Sequence, residues 1–203
     1  MGAPIDERTA DALYQRIEGW ITGLRLMALS LRQRGSLDLN VNDLHSGVAY
    51  VTQYLVTEVM HSLPQTIQDC MLNTSVLDRF CAPLCQTLCQ TLCQTLCQGS
   101  DQAEAETESG VPTGREFIGW LEEHDPFLVR LDDQGEWYRY HHLFQDLLQR
   151  RLQEERGADG VAMLHGRASA WFAQNDLIDE ALHHALAAGD TSSAVDLVIQ
   201  HRH

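Results

Sequence analysis

The sequence predicts a mainly α-helical fold that contains one β-hairpin, and two observations lead to this prediction. Apolar residues recur at spacings of three and four along most of the 203 residues, which is the period of amphipathic helices. Residues 127–131 and 136–140 depart from that period, because they are short aromatic and β-branched runs on either side of a polar, glycine-containing turn. Such a pair predicts a hairpin.

Three helices are expected before the cysteine-containing repeat that begins at Cys85. The first lies within residues 6–34, where Gly19 and Gly23 interrupt the apolar stripe and suggest a helix break or a close backbone approach. The second runs over residues 42–61, where valines and a leucine fall on one face. The third begins at Pro64, since proline is favourable in the first turn of a helix.

A short tandem repeat follows the third helix. The sequence Cys-Gln-Thr-Leu occurs three times in succession from Cys85. Because four residues are close to one helical turn, the repeat predicts a longer helix with a slowly drifting stripe of thiols, formed by Cys81, Cys85, Cys89, Cys93 and Cys97. Residues 101–110 are acidic and lack a large apolar side chain, so they are predicted to form a disordered loop.

Helical periodicity resumes at Thr113. The stretch from Thr113 to Glu116 matches a capping box, in which the two side chains satisfy each other's backbone donors. Another helix directly follows the hairpin, and short helices joined by tight turns, such as Gly189-Asp190, then predict the start of an α-solenoid. Three helices, a hairpin and a helix in this order are typical of a winged-helix domain, whose wing is the hairpin.

Charge and residue types exclude several functions. The formal net charge is −15, from 14 basic and 29 acidic side chains. Such a surface repels a phosphate backbone, so we do not expect direct nucleic-acid binding. All basic residues are arginines, and a chain without lysine can form neither a P-loop nor a Schiff base. No Gly-x-Ser-x-Gly nucleophile motif occurs either. We therefore expect that the chain is not an enzyme.

The sequence also predicts a compartment. No stretch is as long and as apolar as a membrane span, and the polar residues 1–8 do not match a secretory signal. We therefore expect no membrane association and a cytoplasmic location, in which the six cysteines are reduced thiols.

Five stretches, in order, resemble one family of bacterial regulators. Three of them are similar to the region after the ATPase core in large LuxR-type regulators of the maltose-activator class, which are STAND (signal-transduction) ATPases. Two more resemble the opening of that family's TPR-like sensor solenoid. The five stretches are residues 18–31, 74–79, 137–148, 170–173 and 179–190. The resemblance covers most of residues 10–200, and the cysteine repeat and the acidic loop depart from it.

The resemblance implies three parts. Residues 1–37 would end the helical lid of an ATPase core, residues 38–157 would form the winged-helix domain with an insertion at 85–112, and residues 158–203 would begin the solenoid. It also implies a switch, in which the core binds ADP at rest and ATP when active, while a distant helix-turn-helix binds DNA. The chain would be a fragment without a cofactor of its own, and its partners would be the ATPase core and the sensor solenoid.

His141 is the residue that the resemblance places at the nucleotide. Tyr140-His-His-Leu143 is similar to the Met-His-Asp-Leu motif of NB-ARC switch proteins, whose histidine contacts the β-phosphate of ADP. His142 stands where that motif has an acidic residue. A histidine just before a helix can donate to a phosphate, and the helix N-terminus favours the anion. The alternative is that His141 and His142 only cap the helix.

Two glycines and two later histidines are the remaining candidates. Gly19 and Gly23 resemble the segment near the nucleotide base in the same relatives, and Trp20 between them is expected to anchor the core. His183 and His184 lack the spacing of metal ligands, and they are expected on exposed helix faces.

Two other functions remain open. A DNA-binding winged helix needs a basic recognition helix, but the candidate at 64–75 has no basic residue and carries Asp69. A thiolate metal site is the second alternative, because cysteines four residues apart face one side of a helix and can share a soft ion. The competing explanation is an expanded repeat whose cysteines fill a buried helix face.

Overall fold

The computed structural model describes residue 60 and residues 63–90, 111–124 and 127–200. Described residues between 64 and 140, together with 148–200, form one compact unit, and the few others belong to a second unit. The helix predicted within 6–34, all but one residue of the helix predicted over 42–61, and the predicted acidic loop lie outside the described residues.

The described elements confirm a mainly α fold with one hairpin. Helices α1 to α3 precede strands β1 and β2, and helices α4 to α6 follow them. Their bounds are Gln65–Thr74 (α1), Ala82–Cys89 (α2), Gly114–His124 (α3), Leu128–Arg130 (β1), Tyr138–Tyr140 (β2), His142–Gln174 (α4), Ile178–Ala187 (α5) and Thr191–Gln200 (α6). The order from α1 to α4 is that of the predicted winged-helix domain, and the hairpin is its wing.

Local sequence explains where α1 and α3 begin. Pro64 directly precedes α1, and its carbonyl accepts backbone hydrogen bonds from Ile67 (3.0 Å) and Gln68 (3.1 Å). At α3 the predicted capping box forms. Thr113 Oγ1 accepts the Glu116 N–H (3.2 Å), and the Thr113 N–H donates to the Glu116 carboxylate (2.8 Å). The Thr113 N–H, followed by the Thr113 hydroxyl (2.9 Å), donates to this carboxylate and holds the pKa of Glu116 below its usual value.

The wing closes through a polar turn. Its strands pair antiparallel, with Leu128 opposite Tyr140. The Asp132 carboxylate accepts the backbone N–H groups of Glu136 (2.9 Å) and Trp137 (2.8 Å). These donors favour the ionised carboxylate and lower the pKa of Asp132.

Phe80 adds a third, single-residue strand to the wing. Its N–H donates to the Tyr138 carbonyl (2.8 Å), and its carbonyl accepts the Tyr138 N–H (2.9 Å). The Phe80 ring is fully buried and lies 4.8 Å from the ring of Tyr140 between centroids. The segment between α1 and α2 is therefore fixed to the wing through both its backbone and its side chain.

Helix α2 is held by both α1 and α3. The Asn73 side chain of α1 donates to the Leu88 carbonyl (3.0 Å). On the α3 side, the Gly114 N–H donates to the Gln86 side chain, and a Cβ on Gly114 would collide with the backbone of Ala82 and Gln86. Only glycine therefore allows this approach of α3 to α2.

Glycines also mark the breaks in the last helices. Gly157 interrupts α4 with a φ of 66°, a conformation that residues with side chains rarely adopt. Gly189 (φ 74°) turns the chain after α5, and the Asp190 carboxylate caps α6 by accepting the Ser193 N–H (3.0 Å). The predicted turn is confirmed, whereas the solenoid and the domain boundaries stay predictions. In the described part of the chain, every helix is too short or too polar to cross a membrane.

We expect Gly114→Ala to lower the free energy of unfolding by about 1–3 kcal/mol, because the methyl group would force α3 away from the α2 backbone. The matched control is Gly119→Ala in the same helix, where an added Cβ meets no atom within 4 Å. There alanine should stabilise the helix by up to about 1 kcal/mol. Urea unfolding followed by circular dichroism measures both changes. Equal stability of the two variants would contradict the close approach.

Candidate functional site at the junction of the wing and the following helices

Arg79 connects the wing to the helices that follow it. Its guanidinium carbon lies 4.6 Å from the centroid of the Trp137 ring, which is a cation–π distance. The same guanidinium forms an ion pair with the Glu180 carboxylate in the first turn of α5. The two charged side chains are 38% and 31% exposed, so the pair is partly shielded from solvent.

Trp171 of α4 completes this group. Its ring meets the Trp137 ring edge-on, with centroids 6.4 Å apart and an angle of 76° between the planes, which is a favourable aromatic geometry. It also packs edge-on against the buried Phe172. We name Arg79, Trp137, Trp171 and Glu180 the junction cluster. It links the segment before α2, the wing, α4 and α5.

The backbone around the junction cluster is fixed by hydrogen bonds. Arg79 and Trp137 each precede one partner of the antiparallel Phe80–Tyr138 backbone pair, which places both on the same face of the wing. Upstream, Thr74 Oγ1 donates to a carbonyl of its own helix and lies 2.9 Å from the Tyr140 hydroxyl. The tyrosine is therefore the donor, since the threonine has a single hydrogen.

Glu122 fastens α3 to the wing. Its Oε1 accepts a hydrogen bond from Arg130 (2.5 Å) and another from the Tyr138 hydroxyl (2.9 Å). The pKa of Tyr138 is raised mainly by burial and, to a smaller extent, by this hydrogen bond to a carboxylate. The wing is thus tied to α3 on one side and to the junction cluster on the other.

A cleft of about 650 Å³ opens beside the junction cluster. It combines aromatic walls with a few polar groups, which is the composition of sites for ligands and peptides. Its lining includes Trp137, Trp171, Arg115, Ile118, Glu136 and Asn175.

His141 lies directly before α4, as its pattern predicts. It is 6% exposed, and its carbonyl accepts the backbone N–H groups of Phe144 and Gln145, both at 2.9 Å. Its ring stacks on that of His142, with centroids 4.9 Å apart. The main chain of His141 therefore begins the helix, and a contact of its side chain with a phosphate stays a prediction.

Three cysteines of the predicted stripe are described, and all three are buried. Burial raises the pKa of Cys81 and of Cys85. The pKa of Cys89 is raised mainly by a hydrogen bond with Cys70 and, to a smaller extent, by burial. No three histidine, cysteine or carboxylate side chains of the described residues are placed to hold a metal ion. The candidates outside the described residues are Gly19, Trp20, Gly23, Cys93 and Cys97.

The candidate DNA-contacting helix at 64–75 forms as α1, and its contact with DNA stays a prediction. In a helix-turn-helix the second helix of the pair is the recognition helix, and among the described helices α2 and α3 are the last two before the wing. Phe80 pairs with the wing after α1, so α1 stands outside that pair. Helix α3 is also acidic, because it carries one exposed arginine, Arg115, against the exposed Glu116, Glu122 and Glu123.

His184 is not on an exposed face, contrary to the expectation from its spacing. It is 3% exposed, its Nδ1 lies 2.8 Å from Nδ1 of His165, and its ring stacks on Phe172 with centroids 5.3 Å apart. Burial, the largest cause, lowers its pKa to about 4. The signal was present in the sequence, because position 184 shares the face of the buried Ala181 and Ala185.

Comparison with known proteins gives a family and several relatives. The family model described as MalT winged helix domain matches residues 56–160. The chain is 36% identical over 199 residues to the serine/threonine-protein kinase PknK of Mycobacterium tuberculosis, which covers 98% of the chain and 16% of that protein. It is 30% identical to the HTH-type transcriptional regulator MalT, over 201 residues in Klebsiella pneumoniae and 203 in Yersinia pestis, covering 98% and 99% of the chain. It spans 20% of the length of those regulators.

We expect Arg79→Met and Glu180→Gln to lower stability non-additively, because either change alone removes the ion pair. For a pair about one third exposed, the coupling energy should be about 0.5–1 kcal/mol. A double-mutant cycle by urea unfolding measures it. The control cycle combines Arg79→Met with Glu123→Gln, which share no contact and should add. Additive effects in the first cycle would contradict the ion pair.

Proposed function

This chain belongs to the MalT winged helix domain family, and on that premise we propose that it is the non-catalytic hinge of a nucleotide-switched bacterial transcriptional regulator of the STAND and LuxR type. In this role it couples an ATPase core to a TPR-like helical sensor in the cytoplasm. The junction cluster carries the proposal, because it joins the wing to the following helices by an ion pair and aromatic contacts. Packed side chains of this kind can couple the position of one element to that of the next.

The family-like stretches of the sequence support this role, because they meet in the junction cluster. Arg79 ends one stretch and Trp137 begins the next, and Trp171 and Glu180 belong to the two stretches that resemble the sensor. Residues scattered over about half of the chain thus converge on one set of contacts. A hinge requires a set of contacts of this kind, because a signal passes between two parts of a protein through the contacts that join them rather than through either part alone.

The sequence supports a non-catalytic role for this segment. One relative bears the name of a serine/threonine-protein kinase, and the match covers 16% of that protein. Protein kinases need a lysine that pairs with the phosphates of ATP, and this chain has none among its 203 residues. We therefore place any catalysis of such relatives outside the segment that this chain matches.

Direct DNA binding is the weaker candidate function. A recognition helix must neutralise phosphates with basic side chains, and α3 exposes three glutamates and one arginine. We therefore assign DNA binding to a different part of the parent regulator. A gel shift at low salt tests this assignment, and tight binding by the chain alone would contradict it.

We further propose that His141 contacts the β-phosphate of ADP when the ATPase core is present. Its place directly before α4 supports this role, since a helix N-terminus favours an anion. In a protein that joins this chain to its ATPase core, His141→Ala should weaken ADP retention about tenfold to a hundredfold, the usual effect of losing one hydrogen bond to a charged group. His142→Ala is the control. Retention unchanged in His141→Ala would exclude the contact.

The hinge itself is tested by hydrogen exchange in the same joined protein, loaded with ADP or with ATP. We expect the exchange of residues 74–80 and 178–187 to change together between the two nucleotides. In Arg79→Met, the nucleotide-dependent change in exchange should still occur in residues 74–80 but should be absent from residues 178–187. A change that still reaches 178–187 in this variant would show that the junction cluster does not carry the signal.

A further inference from the structure

A pair of histidines joins α4 to α5 close to the junction cluster. His165 Nδ1 and His184 Nδ1 are 2.8 Å apart, which is a hydrogen-bond distance. One imidazole must donate its Nδ1 hydrogen and the other must accept it, so at neutral pH the two rings hold opposite tautomers. The contact tolerates one additional proton on an outer nitrogen. It cannot form when both rings are fully protonated to imidazolium, because two Nδ1–H groups would then face each other.

Burial disfavours positive charge at this site. His184 is 3% exposed and its ring lies parallel to that of Phe172, at an angle of 8°. Burial is therefore the largest influence on both imidazoles, and it lowers the pKa of His165 and of His184. The nearby charges are mixed. Asp78 favours protonation of His165, Glu180 favours that of His184, and His183 opposes both.

Glu180 belongs to both sites. It lies one helical turn before His184 on α5, and its carboxylate holds the Arg79 guanidinium. Side chains four residues apart on a helix are within reach of each other. An imidazolium at 184 would therefore compete with Arg79 for the same carboxylate.

We propose that the His165–His184 pair is an acid-responsive lock, in which protonation of both rings opens the α4–α5 helical hairpin and draws Glu180 away from Arg79. The inference rests on the proposed function only in its last step, where release of Arg79 uncouples the wing. The lock itself depends on the two rings alone.

The direction of the pH effect follows from the lowered pKa values. A histidine with its ordinary pKa of 6.5 in the unfolded chain and about 4 in the folded chain binds its proton first in the unfolded state. Its contribution to stability is therefore complete above pH 6.5 and is lost as the pH falls towards 4. The lock is closed at neutral pH and opens in acid.

The first test is a histidine titration of the full chain by ¹H–¹⁵N NMR, assigned with His165→Gln and His184→Gln. We expect one of the two rings to carry its hydrogen on Nδ1 at neutral pH, and both to titrate below the ordinary histidine pKa of 6.5. Because this readout uses the wild-type chain, it does not depend on a variant that folds. Titration of both rings at the ordinary pKa of 6.5 would overturn the proposal.

The second test compares urea midpoints between about pH 7.5 and pH 4.5, a window that spans histidine titration. Wild type should lose stability towards acid, and His184→Gln should lose part of that dependence because an amide takes up no proton. His183→Gln is the matched control and should keep the dependence. The Arg79–Glu180 coupling should also be smaller at pH 4.5 than at pH 7.5 in wild type, and it should change less with pH in the His184→Gln background. A full dependence retained in His184→Gln would overturn the lock, whereas failure of the nucleotide-dependent exchange experiment would refute only the hinge.

Discussion

The two hydrogen bonds between the backbones of Phe80 and Tyr138 set the position of most other contacts. They fix the segment after α1 to the wing, so the Phe80 ring enters the core and Arg79, the preceding residue, reaches the Trp137 ring at the edge. Without this backbone pair, the two ends of the junction cluster would belong to segments joined only by side chains. Because its partners are already held in place, the Arg79–Glu180 ion pair loses little side-chain entropy when it forms. Even a weak pair of this kind can then contribute to the link between the wing and α5.

The proposed hinge depends on the convergence of several side chains rather than on a single reactive group. Burial raises the pKa values of Cys81 and Cys85, and α3 is acidic. What distinguishes this molecule is a set of contacts that crosses from the wing to two later helices. In the proposed hinge, the wing contacts later helices of its own chain.

Much of the fold could be predicted from sequence, because its signals are local. The capping box at Thr113, the hairpin and the turn at Gly189 each depend on neighbouring residues, and all three form as predicted. The pairing between Phe80 and Tyr138 could not be predicted this way, since it joins residues 58 positions apart. His184 was missed for a different reason. Two adjacent histidines look like solvated polar residues, and only the small Ala181 and Ala185 on the same face show that the position is enclosed.

The attachment of α2 has a consequence for how this gene can change. Helix α2 contains the first complete Cys-Gln-Thr-Leu unit and the start of the second, and Asn73 and Gly114 fix it within that stretch. A tandem repeat of identical units can gain or lose one unit of four residues at a time. Because the units are identical, one more unit at any point of the repeat leaves the residues at 82–89 unchanged. The number of units can therefore change without altering the residues through which Asn73 and Gly114 hold α2.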